Sequence, residues 1–178
     1  EWIRGPLVTH YADAAELTLE HRLALFLKIC AGIAHAHAWK VIHQDIKPAN
    51  ILVPEYDGVP VPKLIDFGTA VFAGISTGLE SKAAGSAGFV GTPNYMSHEQ
   101  ATGIAGGVDV RTDVFSLGVV LHELLTGLMP FEMRTEFPAE PDRIRRAIQS
   151  RQFIKPSLRV EQCDPARMLP LAAQRRKN

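Results

Sequence analysis

The stretch His43-Gln44-Asp45-Ile46-Lys47-Pro48-Ala49-Asn50 decides how this chain is read. It sets a carboxylate, an ammonium and an amide oxygen in one short loop, at Asp45, Lys47 and Asn50. Two further stretches follow, Asp66-Phe67-Gly68 and Gly91-Thr92-Pro93-Asn94-Tyr95. The first of them adds a second carboxylate. Phosphoryl transfer from a magnesium nucleotide needs a set of this kind. A carboxylate orients the attacking hydroxyl, a cation offsets phosphoryl charge, and hard oxygens hold the metal.

Outward from these stretches, the pattern is mostly helical. Leu19, Leu23, Phe26, Leu27, Cys30, Ile33 and Ala34 follow helical spacing, which predicts a helix over Leu19–His37 with Thr18 as N-cap and Glu20 in its first turn. Ile51-Leu52-Val53 and Lys63-Leu64-Ile65 read as two strands of a hairpin, with Pro54, Asp57, Gly58, Pro60 and Pro62 in a long loop between them. Val114–Thr126 is apolar nearly all round and predicts a buried helix, capped by Thr112 or Asp113 and ended by Gly127. Residues 69–90, rich in Gly, Ala and Ser, read as a functional loop. Residues 1–5 read as a strand end entering a turn, Arg143–Ser150 as a short basic helix, and residues 154–178 show little pattern.

Bulk properties narrow the class. The 178 residues are 46% hydrophobic and 21% charged, enough for one globular domain. Formal net charge is zero, so no global field attracts nucleic acid or an anionic membrane. Two cysteines far apart give neither a disulfide framework nor zinc spacing, which points to a reducing compartment. His35, His37, His43 and His98 do not have the spacing of a metal cluster. No apolar run reaches transmembrane length. The expected setting is the cytoplasm, with any membrane attachment left to regions outside this chain.

Val41 through Val53 resembles the catalytic loop of protein kinases at every position of the pattern. Asp66-Phe67-Gly68, then Gly91-Thr92-Pro93-Asn94-Tyr95-Met96-Ser97-His98-Glu99, then Asp109–Gly118 extend the match in order. Four matches in sequence are far more specific than one. The details are similar to bacterial, eukaryotic-like serine/threonine protein kinases. The resemblance implies an α+β fold of protein-kinase type: a mainly helical C-terminal lobe with a small β-hairpin, the N-terminal lobe absent. Residues 1–178 would form a partial kinase domain: hinge 1–5, catalytic loop 43–50, activation segment 66–99, buried helix about 113–126 and a variable part 131–178.

The resemblance also implies roles. Asp45 would orient the acceptor hydroxyl, and Lys47 would sit beside the transferred group and favour Ser/Thr over Tyr acceptors. Thr92 would bridge Asp45 and Lys47. Asn50 and Asp66 would hold Mg²⁺, and Glu1, Ile3, Lys47, Asn50, Leu52 and Asp66 would contact ATP, with Leu52 the apolar floor under adenine. Phe67 would pack beside His43, and Asp113 would hold the catalytic-loop backbone. The implied partners are ATP and a Ser/Thr protein acceptor, placed near Thr92 and Arg143, Arg145 and Arg146. Each residue also has a plain structural reading: a solvated loop carboxylate for Asp45, a turn residue for Asn50, a core residue for Leu52 and a solvated face for the arginines.

Three positions depart from the family. Gln44 replaces the arginine that pairs with a loop phosphate, which argues against switching by loop phosphorylation, although Ser76, Thr77, Ser81 and Ser86 remain possible sites. Lys40 replaces a glycine, and His98 a proline. No Gly-rich phosphate loop, strand lysine or helix glutamate precedes the catalytic loop, and the arginine partner of Glu99 is not found. The expectation is therefore that this polypeptide alone lacks kinase activity and is marginally stable, with Glu99 left as a buried unpaired carboxylate. Two other readings compete: a pseudokinase or ATP-binding regulatory scaffold, and a small-molecule phosphotransferase.

Overall fold

Thr18 starts the helix around which the chain packs. In the computed structural model, which describes residues 3–72, 92–102, 107–131, 146, 148–150 and 152–162, the Thr18 hydroxyl accepts from His21 N–H at 3.3 Å. Five α-helices stand among the described residues: α1 (Val8–Ala14), α2 (Leu19–Ala38), α3 (His98–Thr102), α4 (Val110–Thr126) and α5 (Pro156–Gln162). Three antiparallel two-stranded ladders join them. This is helix with small β-ladders, compatible with the expected fold class.

The core forms where α2 crosses α4. Leu25, Ile29 and Ile33 of α2 meet Leu117, Val120 and Leu124 of α4, with Val8 and Ala12 of α1 and Ile46, Ile51 and Val53 closing the sides. Each fully buried aliphatic side chain contributes about 1.5–3 kcal/mol of transfer free energy. The buried face of α2 is not the one its leucines suggest. Leu19, Leu23 and Leu27 are 61%, 39% and 66% exposed, whereas Arg22 is only 2% exposed. The guanidinium is buried because backbone carbonyls and a carboxylate surround it.

Helix α4 also begins earlier than the sequence predicts. Its N-cap is Asp109, whose carboxylate accepts from Arg111 N–H at 2.8 Å, and Thr112 and Asp113 lie inside the first turn. Gly127 ends it in the left-handed conformation (φ 74°) that favours glycine. One flank stays open, with Val114 58% exposed.

Strand β1 (Val41–Ile42) pairs with β6 (Val71–Phe72), so the stretch read as loop from residue 69 starts with a strand. β2 (Ile51–Leu52) pairs with β5 (Lys63–Leu64). Between them β3 (Glu55–Tyr56) and β4 (Val59–Pro60) continue as a tight hairpin rather than a long loop. Its Asp57-Gly58 turn has φ of 52° and 75°, the signature of a two-residue turn with positive φ at both positions. Leu7 bridges to Leu52, and Val53 N–H donates to Pro6 O at 2.9 Å. Gly5 permits this approach: a Cβ there would sit 2.6 Å from Pro54 N.

Two short helices, α1 and α5, carry too little periodicity to be found from sequence; α5 lies in the stretch read as patternless. Arg146, Ile148 and Gln149 are helical, and Ile148 packs with Met96 and Ala101. Glu1, the four possible loop phosphorylation sites, and Arg143 and Arg145 lie outside the described residues. No helix among the described residues is long and apolar enough to cross a membrane.

Lys40 adopts φ 60°, a left-handed conformation that costs a non-glycine residue about 1–2 kcal/mol. This explains why a glycine suits the position. Lys40→Gly is expected to raise stability by about 0.5–1 kcal/mol, after allowing for the extra freedom glycine gives the unfolded chain. A denaturant midpoint at or below the parent's would contradict this.

Candidate active site

Asp113 builds the site from beneath. It lies in the first turn of α4 with no solvent exposure. Its Oδ2 accepts from His43 N–H and its Oδ1 from Gln44 N–H, both at 2.9 Å. His37 Nε2 reaches the same Oδ2 at 2.7 Å. A buried carboxylate with three donors is well satisfied, and it fixes the backbone just before Asp45. Gln44 takes φ 69° in this turn.

His43 is fully buried. Its Nε2 lies 3.1 Å from Ile65 O, and its Nδ1 lies 3.4 Å from Asp45 N–H. The Phe67 ring stacks at a tilt against it, centroids 4.5 Å apart. Thr69 Oγ1 donates to His43 O at 3.1 Å. The loop is therefore held from α4 on one side and from the Phe67 turn on the other.

Asp45, Lys47 and Thr92 close a ring. Lys47 Nζ donates to Asp45 Oδ2 and to Thr92 Oγ1, each at 2.7 Å. Thr92 N–H and Oγ1 both donate to Asp45 Oδ1, at 3.0 and 3.3 Å. Asn50 Nδ2 donates to Asp45 O at 2.8 Å and Oδ2 at 3.1 Å. Burial works to raise the Asp45 pKa, but Lys47, Asn50 and the Thr92 N–H outweigh it and hold the carboxyl below the usual range. Asp45 is thus ionised at neutral pH and suited to accepting a hydrogen bond from a hydroxyl.

The β2–β5 hairpin carries the remaining oxygens. Asn50 precedes β2 and Asp66 follows β5, and Ile65 N–H donates to Asn50 O at 3.0 Å between them. Both side-chain hydrogen bonds of Asn50 use its nitrogen, leaving its oxygen as the available hard donor. Asp66 is exposed, left-handed at φ 61°, and spends Oδ1 on Gly68 N–H at 3.3 Å. Ile3 and Leu52 are both partly buried, and Leu7 bridges Leu52.

Helix α4 also anchors the segment after Thr92. Ser116 Oγ donates to Tyr95 O at 2.8 Å, and Tyr95 OH donates to Glu123 Oε2 at 2.6 Å. Thr112 Oγ1 donates to Glu99 Oε1 at 2.9 Å. Glu99 is only partly buried and so is not the unpaired buried carboxylate the sequence suggested. The tethering roles of Thr112, offered by the sequence only as a helix cap, and of Ser116 and His37 were not read, because nothing in periodicity marks a polar residue on an apolar helix as a tether. Gln100 was missed too, although Ser97-His98-Glu99-Gln100 has the form of a capping box.

Burial pushes the Glu123 carboxyl up, against the pull of the Tyr95 hydrogen bond, and the nearby Asp13 charge adds to the rise. A carboxyl raised in the folded state is costly when charged. Its folded-state stability is therefore best below the ordinary value of 4.5 and falls as pH rises through the higher folded pKa. Tyr95→Phe removes the donor that offsets this cost. The expected loss is about 1–3 kcal/mol at neutral pH, shrinking as Glu123 protonates in acid. Urea titrations at several pH values check it, and a pH-independent loss would contradict it.

Residues 2–166 match the family model described as "Protein kinase domain". The chain belongs to the protein kinase domain family. It is 37% identical over 140 residues to "Serine/threonine-protein kinase PknB" of Mycobacterium leprae, a match covering 71% of this chain and 21% of that protein. It is 37% identical over 133 residues to "Serine/threonine-protein kinase PrkC" of Bacillus subtilis, covering 74% of this chain and 19% of that one. Against "Serine/threonine-protein kinase pkn3" of Myxococcus xanthus it is 42% identical over 107 residues, 59% of this chain and 19% of the relative. The chain therefore spans about a fifth of the length of these curated kinases. The Asp45–Lys47–Thr92 ring and the Asp113 tether bring together polar residues that lie far apart in this chain.

Proposed function

We propose that this chain is the C-terminal, catalytic-loop part of a serine/threonine protein kinase that transfers the γ-phosphoryl group of Mg-ATP to Ser/Thr hydroxyls of proteins. The observation that carries the reading is the closed ring of Asp45, Lys47 and Thr92, with Asn50 bonded to it. Asp45 accepts the acceptor hydroxyl's hydrogen bond and orients it for in-line attack. Its depressed pKa suits orientation more than early proton removal. Lys47 shares its ammonium between Asp45 and Thr92 and supplies positive charge where the phosphoryl group passes.

The donor set suits Mg²⁺: an amide oxygen from Asn50 and a free carboxylate oxygen from Asp66, both hard ligands. Bound there, the cation would neutralise charge on the nucleotide phosphates. Glu1 and Ile3 at the chain's start and Leu52 on β2 are the proposed nucleotide-facing residues. Thr92 and the partly exposed turn after it would receive the acceptor. Gln44 in the position of the family arginine supports activity that does not wait on loop phosphorylation. The chain alone, without a strand lysine and a phosphate loop, is expected to be inactive.

The test offers the full-length protein Mg-ATP with three acceptors in parallel: a Ser/Thr protein, a tyrosine peptide and an aminoglycoside. Phosphoserine or phosphothreonine should form and the other products should not. ATP binding without transfer would favour a regulatory scaffold. Transfer to the aminoglycoside alone would favour a small-molecule phosphotransferase.

A further inference from the structure

Gln100 uses both ends of its amide. Its Oε1 accepts from Ser97 N–H at 3.0 Å, and its own N–H donates to Ser97 Oγ at 3.4 Å, a reciprocal cap on α3. Its Nε2 donates to Gln44 O at 2.7 Å, across 56 residues of sequence. That carbonyl belongs to the peptide linking Gln44 to Asp45. The same peptide's N–H makes only the long 3.4 Å contact to His43 Nδ1. Asp113 fixes the two amides before this peptide but not the peptide itself.

We infer that Gln100 is a positioning residue that sets the orientation of Asp45 by locking the Gln44–Asp45 peptide plane. This rests on the phosphoryl-transfer reading above and adds the link that ties the catalytic loop to the segment after Thr92. Gln44 sits at φ 69°, where a non-glycine backbone is strained and a peptide turn is held only by its partners. In a chain with Gln44 where a phosphate-pairing arginine stands in the family, this neutral amide clamp does the coupling that a loop phosphate would otherwise do. It needs no charge and no modification.

Gln100→Glu separates the two jobs. A carboxylate still accepts from Ser97 N–H, so the cap survives, but it presents an oxygen to the Gln44 carbonyl and breaks the link. Ser97→Ala does the reverse: it weakens the cap and leaves the link. In the full-length protein, Gln100→Glu is expected to lower kcat by about ten- to a hundredfold with KM for Mg-ATP unchanged, as small misplacements of a reacting group do. Amide exchange across residues 43–47 should quicken by about tenfold or more. Ser97→Ala should lower the melting temperature without changing kcat. Unchanged exchange at 43–47 in Gln100→Glu overturns the inference whether or not the parent transfers phosphate. An active parent with unchanged kcat in that variant overturns it too. A parent that binds Mg-ATP but transfers nothing overturns the proposed function instead, and the exchange result then decides the positioning role alone.

Discussion

Arg22→Ala is expected to destabilise the full-length protein by about 3–5 kcal/mol, the cost of removing one partner from a buried charged cluster. Arg22 is 2% exposed. Its guanidinium donates to Leu17 O at 2.9 Å, Ala12 O at 2.9 Å and Leu124 O at 3.1 Å, and pairs with Asp13 at 3.0 Å. Ala12 lies near the end of α1 and Leu124 near the end of α4, where carbonyls lack helical partners and favour a cation. One side chain thus joins three helix ends. Arg22→Lys keeps the charge but loses the planar fork, and should recover less than half of the loss. Denaturant unfolding measures both. A loss under 1 kcal/mol for Arg22→Ala would mean that the carbonyls find water or other donors when the guanidinium is gone.

Asp113→Ala should be nearly as damaging and should strike activity as well. It leaves the buried N–H of His43 and the part-buried N–H of Gln44 without their acceptor, at up to about 1–3 kcal/mol each. The His37 ring loses its partner too. The loop ahead of Asp45 is then free to shift, and a displacement of about 1 Å is worth roughly a hundredfold in rate. Thermal unfolding and steady-state kinetics on the same variant check the two halves. Full activity at wild-type stability would show that the loop is held from the Phe67 side alone.

Much of the site could be read from sequence because it is local. Asp45, Lys47 and Asn50 share one loop, and the hairpin that brings Asp66 beside them is marked by apolar runs and turn residues. The helix face was not readable in the same way. Leu19, Leu23 and Leu27 satisfy helical spacing but point outward, while the inward face uses Arg22, which hydropathy assigns to solvent. A buried arginine becomes visible only when the carbonyls around it are known. The two-residue strands β1 and β6 fall below any periodic signal, and Asp57-Gly58, counted as part of a long loop, is the turn of a hairpin. The α4 tethers were hidden for a third reason. Thr112, Ser116 and Glu123 each reach a residue far away in sequence, so nothing nearby hints at their partners.

If Asp45 orients an acceptor hydroxyl for transfer from Mg-ATP, removing its carboxylate must cost that transfer. The measurement is γ-phosphoryl transfer to a Ser/Thr protein by the full-length protein and by its Asp45→Asn variant, with Mg-ATP affinity determined for both. Transfer by the parent and a fall of about 10²–10⁴ in the variant are expected, with nucleotide affinity retained. Equal transfer by both proteins would contradict this role of Asp45.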